Sequence, residues 1–81
     1  MMYTLYILRS EKDKKRYIGV TSDLDERLFE HNIGMVKSTK NRRPLKLIHS
    51  EIFASKTEAW KREKFFKSGQ GRQYLKENLK I

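Results

Sequence analysis

Hydrophobic positions along the chain fall into short blocks separated by charged stretches, and their spacing changes from block to block. In YTLYILR, Tyr3 to Arg9, β-formers alternate weakly, with Tyr3, Leu5 and Ile7 on one face and Thr4, Tyr6 and Leu8 on the other. A charged, turn-like stretch from Ser10 to Lys15 separates this block from RYIGVT, Arg16 to Thr21, a second short strand. The two predict an antiparallel hairpin. With its turn centred near Glu11 and Lys12, Tyr6 lies opposite or diagonal to Tyr17, and both rings project from one face. Gly19 stands inside the second strand, a position that marks close approach of another group.

The spacing then becomes helical. Ser22-Asp23-Leu24-Asp25 reads as a helix start with a serine N-cap and an acid three positions on. This helix runs to about His31 and is ended by Asn32 and Gly34. Met35 to Lys46 reads as an irregular basic segment, closed by Pro44, and Leu45 to Phe53 as a third strand. Ser55-Lys56-Thr57-Glu58 is a second capping box and opens a helix from about Lys56 to Lys67. Ser68-Gly69-Gln70-Gly71 breaks it, and a short amphipathic tail helix with Tyr74, Leu75 and Leu79 follows. The order β-β-α-β-α-α predicts an α+β domain with a three-stranded, mainly antiparallel sheet flanked by helices.

Composition narrows the class. The 81 residues allow one domain, 1–81, and 37% apolar residues suffice for one core. No cysteine is present, so neither a disulfide framework nor a zinc-thiolate site supports the fold, which agrees with a cytoplasmic location. The apolar run at the start is interrupted by Thr4 and closed by Arg9, too short for a bilayer, so no membrane partner is expected. Lys plus Arg number 19 against 10 Asp plus Glu, a net charge of +9, which points to a polyanion as partner.

Four features resist explanation as packing. Ala59, Glu63 and Phe66 fall on one side of the helical wheel with Trp60 beside them, which sets a carboxylate in an apolar stripe. Such a group must be paired, protonated or bound to a cation. The plain alternative puts Glu63 at the rim, paired with Arg62 or Lys67. Arg27 and His31 stand four apart at the edge of the Leu24–Leu28 stripe: the first offers a donor fork suited to phosphate, the second a proton shuttle near neutral pH. Their plain alternatives are an ion pair of Arg27 with Asp23 or Glu30, and a His31 favoured by the helix dipole. Tyr6 and Tyr17 are either sheet residues or site phenols. Finally, Lys37, Lys40, Arg42, Arg43 and Lys46 occur with no acid among them, and Lys61, Arg62, Lys64 and Lys67 lie on the later helix. A solvated face and a phosphate-binding surface both fit such a run. His31 and His49 are not at metal-ligand spacing, and no phosphate loop or nucleophile elbow occurs.

Leu5-Tyr6-Ile7, followed ten positions later by Tyr17-Ile18-Gly19, resembles the two-part signature of the GIY-YIG nuclease superfamily. Thr21, Leu24, Arg27, His31 and the helical Glu63 extend the resemblance over nearly the whole chain. The pattern is most similar to small stand-alone bacterial members. The resemblance implies metal-dependent cleavage of phosphodiester bonds, with Glu63 holding one divalent ion, Mg²⁺ or Mn²⁺. It implies that Arg27 stabilises charge on the phosphoryl oxygens, that Tyr6 and Tyr17 face the scissile phosphate, one of them helping to activate water, and that His31 assists by hydrogen bonding or proton transfer. Some members carry Lys after the YIG glycine, where this chain has Val20; Asn78 lies in no clear motif, and the leading Gly of the first half is Leu5.

A two-metal site needs clustered carboxylates, and Glu63 is the one acid on an apolar face, so a single ion is expected, with Arg27 supplying further stabilisation. That ion and Arg27 are expected to lower the tyrosine pKa. The leading expectation is a weakly sequence-selective endonuclease on DNA, with RNA left open. Its expected backbone contacts are Lys37, Lys40, Arg42, Arg43, Lys46, Lys64 and Lys67. Two rivals stand beside it: a nucleic-acid-binding module of the same fold without turnover, and an accessory subunit activated by a protein partner that supplies specificity.

Overall fold

The weak alternation of the first strand has a topological cause. In the computed structural model, which describes all 81 residues, strand β1 (Tyr3–Ser10) lies in the middle of the sheet, between β2 (Arg16–Thr21) and β3 (Leu45–Phe53). A central strand covered on both faces buries consecutive residues, and Leu5, Tyr6, Ile7 and Leu8 are all within 1% of full burial. Both pairings are antiparallel. In the hairpin Leu8 stands opposite Tyr17 and Tyr6 opposite Gly19, so the tyrosines are diagonal neighbours on one face. A register shift between Ile7 and Leu8 inserts one extra residue in β3. Around it both Ile48 and His49 meet the core on one side of the sheet.

Helix α1 (Leu24–Asn32) covers the Tyr6 face, packing Leu24 and Leu28 against Tyr6, Leu8 and Leu45. Its N-cap is Asp23, not Ser22: the Asp23 carboxylate accepts from the Glu26 amide at 3.1 Å. Ser22 stays outside because Thr21 Oγ1 already holds the Asp23 amide at 3.1 Å and so sets the entry turn one residue later. The opposite face carries α2 (Lys56–Lys67), opened by Ser55 as its capping box predicts, with Leu5, Ile7, Ile18, Phe66 and Leu75 as the core. Trp60 is not part of that stripe. It is half-exposed under the Lys56 ammonium, whereas Ala59 and Phe66 are fully buried.

The expected break after α2 is shorter than its glycines suggest. Ser68 alone is extended, and its hydroxyl accepts from the Gly71 amide at 3.1 Å, capping α3 (Gly69–Tyr74), which runs on as a π-helical turn (Leu75–Leu79). Gly71 is there for contact: a Cβ at this position would fall on the Phe65 carbonyl oxygen. The basic segment after α1 is also more ordered than its composition suggests. It buries Val36 and Thr39 and makes a 3-10 turn over Lys40–Arg42. Buried Ser10 ties this turn to the hairpin, donating to the Arg42 carbonyl at 2.6 Å and accepting the Lys12 and Asp13 amides. Arg42 then reaches Asp13 at 2.8 Å, and that hydrogen bond holds the Asp13 carboxyl down at about 2.

Candidate active site

The site is assembled from β1, β2 and α1. Tyr6 points toward that edge through the space Gly19 leaves, for a Cβ on Gly19 would stand 2.5 Å from the Tyr6 hydroxyl oxygen. What approaches the glycine closely is therefore the catalytic candidate of the neighbouring strand. The Tyr6 hydroxyl lies 3.0 Å from His31 Nε2, and Arg27 Nε donates to it at 3.4 Å. His31 Nδ1 lies 2.7 Å from Thr39 Oγ1, and that hydroxyl in turn is 3.4 Å from the Val36 carbonyl. One orientation satisfies every group: Arg27 donates to Tyr6, Tyr6 to His31 Nε2, His31 Nδ1–H to Thr39, and Thr39 to the Val36 carbonyl. Tyr17 completes the cluster, its ring centroid 5.0 Å from His31 and 6.4 Å from Tyr6.

Exposure divides these groups into two layers. Tyr6, His31 and Thr39 are buried, at 1%, 0% and 0%. Tyr17 is partly buried, and the Arg27 side chain retains 37% of its surface while also meeting Glu30 at 3.1 Å. The pair with Glu30 was the plain alternative for Arg27; the structure shows it together with the Tyr6 contact. The helix-dipole alternative for His31 does not describe a buried ring held at both nitrogens.

Burial dominates the electrostatics at Tyr6. Burial raises its pKa, and Tyr17 and Glu63 act in the same sense, against the opposing hydrogen bond and charge of Arg27. Arg27 by itself does not lower it: a buried oxygen loses more solvation on ionising than one guanidinium returns. Burial, then the Arg27 charge, pushes His31 below its ordinary value, so the imidazole is a neutral acceptor. Arg27 is held the more firmly charged by its hydrogen bond to Tyr6.

Glu63 sits at the rim of α2 and not in its stripe. Lys67, one turn on, donates to it at 2.9 Å, and its side chain keeps 22% of its surface. Its charge nonetheless reaches the Tyr6 hydroxyl. Lys37, Lys40, Arg43, Lys46 and Lys64 are exposed. Arg42 instead turns inward to Asp13 and donates to the Arg16 carbonyl at 3.3 Å. Thr39 escaped the sequence reading because nothing in a basic run marks one threonine. Its contact with His31 depends on the chain reversing at Gly34, where φ is +86°.

Two tyrosines, an arginine and a histidine gathered on a three-stranded antiparallel sheet, with a glutamate on the later helix, define a class. The GIY-YIG catalytic domain matches residues 2–78, and the chain belongs to the GIY-YIG family. Among individual proteins it is 41% identical over 73 residues to UPF0213 protein SH2523 of Staphylococcus haemolyticus, covering 89% of this chain and 88% of that one. It is 42% identical over 78 residues to UPF0213 protein spr1390 of Streptococcus pneumoniae, with 91% and 78% covered. The solution NMR structure of UPF0213 protein BH0048 from Bacillus halodurans superposes with a TM-score of 0.57 at 35% identity, over 93% of this chain and 82% of that chain. Domains of this family are in general endonucleases and typically use a divalent metal ion. No helix here is long and apolar enough to cross a membrane.

The donor set fits a metal of limited demands. No three His, Asp or Glu side chains gather anywhere in the molecule, so a caged or two-metal site has no ligands. The Glu63 carboxylate, partly exposed and shared with the Lys67 ammonium, suits only a hard ion such as Mg²⁺ or Mn²⁺ that keeps most of its water and takes the rest of its ligands from phosphate.

Proposed function

We propose that the protein is an endonuclease that hydrolyses DNA phosphodiester bonds at this site. The observation that carries the reading is the continuous chain from Arg27 through Tyr6 and His31 to Thr39. Glu63 would hold the divalent ion, which when bound supplies Lewis-acid stabilisation of phosphoryl charge. Arg27, exposed on one side and anchored to Tyr6 on the other, binds the non-bridging phosphoryl oxygens and stabilises the charge that grows on them. Tyr17, the partly buried phenol, orients the phosphate beside it.

Tyr6 and His31 act together as the proton acceptor. A water that reaches the Tyr6 oxygen gives it a proton as the phenolic proton moves to His31 Nε2. The neutral phenol therefore passes a proton on and need not ionise first, and His31 is the net base. Thr39 positions the ring by accepting from Nδ1, which leaves Nε2 free to receive.

Glu63→Gln tests the reading. Metal-dependent cleavage of branched, duplex and single-stranded DNA in Mn²⁺ is expected to fall by at least about 100-fold, while DNA binding in EDTA persists. Cleavage equal to the parent's would remove Glu63 from the mechanism. Retardation of every substrate by the parent with no cleavage of any would instead establish a binding module of this fold.

A further inference from the structure

Beyond Tyr17, on the side away from α1, the edge of β2, the hairpin turn, the end of α2 and α3 enclose an open groove of about 740 Å³. Six cations line it, Arg9, Lys14, Lys15, Arg16, Lys67 and Arg72, and no acidic side chain does. Only Lys67 and Arg16 have partners: Lys67 pairs with Glu63, and Arg16 donates to the Ile81 carbonyl at 2.6 Å. The other four take part in none of the molecule's ion pairs. The fold even sets like charges against each other here, since Arg9 and Arg16 are cross-strand partners, an arrangement that costs stability. Lys14 adds a left-handed backbone, φ 63°, a conformation few residues other than glycine adopt.

Four converging cations without a counter-charge are unfavourable until an anion arrives, and their number calls for a repeating one. We propose that this groove binds the phosphodiester backbone of the DNA strand as it leaves the cleavage site. The inference rests on the nuclease reading of that site. Two features favour a DNA strand over an anionic membrane. The groove is recessed over a floor of Tyr17, Ile18 and Phe66, which admits a chain and not a flat surface. It is also lined by Tyr17 and by Lys67, the partner of Glu63, so it adjoins the site. The path has a direction: the surface depression that Arg27 itself lines also carries Asp23, Glu26 and Glu30, which oppose a run of phosphates there beyond the one group that Arg27 binds. None of Arg9, Lys14, Lys15, Arg16 and Arg72 belongs to the basic run after α1, so a second and separate cationic surface exists.

The test is fluorescence anisotropy of a labelled DNA strand with the full chain in EDTA, so that cleavage plays no part. Lys15→Ala/Arg72→Ala removes two exposed groove cations, and Lys56→Ala/Lys61→Ala removes the same charge from the exposed face of α2. The groove variant is expected to bind about tenfold more weakly at physiological salt and to lose roughly two units of salt-dependence slope. The α2 variant is expected to stay within about twofold, and Lys15→Arg/Arg72→Lys to bind like the parent. Melting curves matching the parent's confirm that both alanine variants are folded. Equal binding by groove variant and parent, or equal weakening by both alanine variants, overturns the proposal. So does tighter groove-dependent binding to phosphatidylserine vesicles, or to an RNA strand of the same sequence, than to DNA. Cleavage by the parent in Mn²⁺ separates the two readings: groove-dependent binding in EDTA without cleavage in Mn²⁺ leaves the groove standing as a DNA-binding surface and removes the nuclease.

Discussion

Single residues decide whether the site exists. Gly19 is the clearest case, because the Tyr6 hydroxyl occupies the place of its missing Cβ. Gly19→Ala is expected to cost about 1–3 kcal/mol in chemical denaturation. It should also reduce cleavage far more than a surface change of equal stability cost, since the displaced phenol loses His31 and Arg27. Parent-like cleavage in that variant would show that the phenol's placement is not needed. His31 makes a second prediction, set by its surroundings of Tyr6, Tyr17, Arg27 and Glu30. Its folded pKa lies below the ordinary 6.5, so the unfolded chain binds more protons there. The resulting stabilisation is complete above that value and is lost as pH falls below it toward the folded pKa. The melting temperature of the parent is expected to drop below about pH 6.5, and that of His31→Gln to drop less steeply. Parallel curves would mean that His31 does not titrate differently in the two states.

At the scale of elements, the same glycine chemistry reverses an intrinsic preference. Inside a helix, Gly→Ala ordinarily stabilises by about 1 kcal/mol. At Gly71 in α3 the added methyl meets the backbone at the end of α2, which cannot move without unseating Phe66 and Leu75 from the core. Gly71→Ala is therefore expected to destabilise, by about 3 kcal/mol in urea unfolding. A stabilised variant would show that α3 docks more loosely than the structure has it. Element existence was largely legible beforehand. The bounds of β3 and α2 follow from turn and capping chemistry close in sequence, Pro44 and Ser55. The N-cap shift to Asp23 and the early start of α3 were not legible, because several eligible side chains stand side by side and hydrogen bonds to neighbouring segments choose among them.

For the molecule as a whole, the charge of +9 acts in opposite directions on folding and on binding. Self-repulsion destabilises the compact state and salt screens it, so the melting temperature is expected to rise between about 50 and 300 mM salt. DNA affinity is expected to fall steeply over the same range, as bound counterions cease to be a driving force. A melting temperature that falls instead would mean that the four ion pairs of Arg and Lys with carboxylates outweigh the repulsion. The location of the free charge was the least legible property. Composition placed it in the run from Lys37 to Lys46, yet Arg42 there is held by Asp13, while cations scattered over the hairpin, α2 and α3 meet in one groove.

What this chain determines by itself is local: alternation, capping residues and breakers within a few positions of one another set its strands and helices, and the residue types of its motifs set the available chemistry. Tertiary structure decided which of those groups share an environment. Tyr6 became a buried, neutral phenol only when α1 closed over β1, and Thr39 gained a role only when the chain turned back at Gly34. Solvation and electrostatic coupling depend on distances in space between residues far apart in sequence, and those distances exist only once the sheet and its two helical covers are packed.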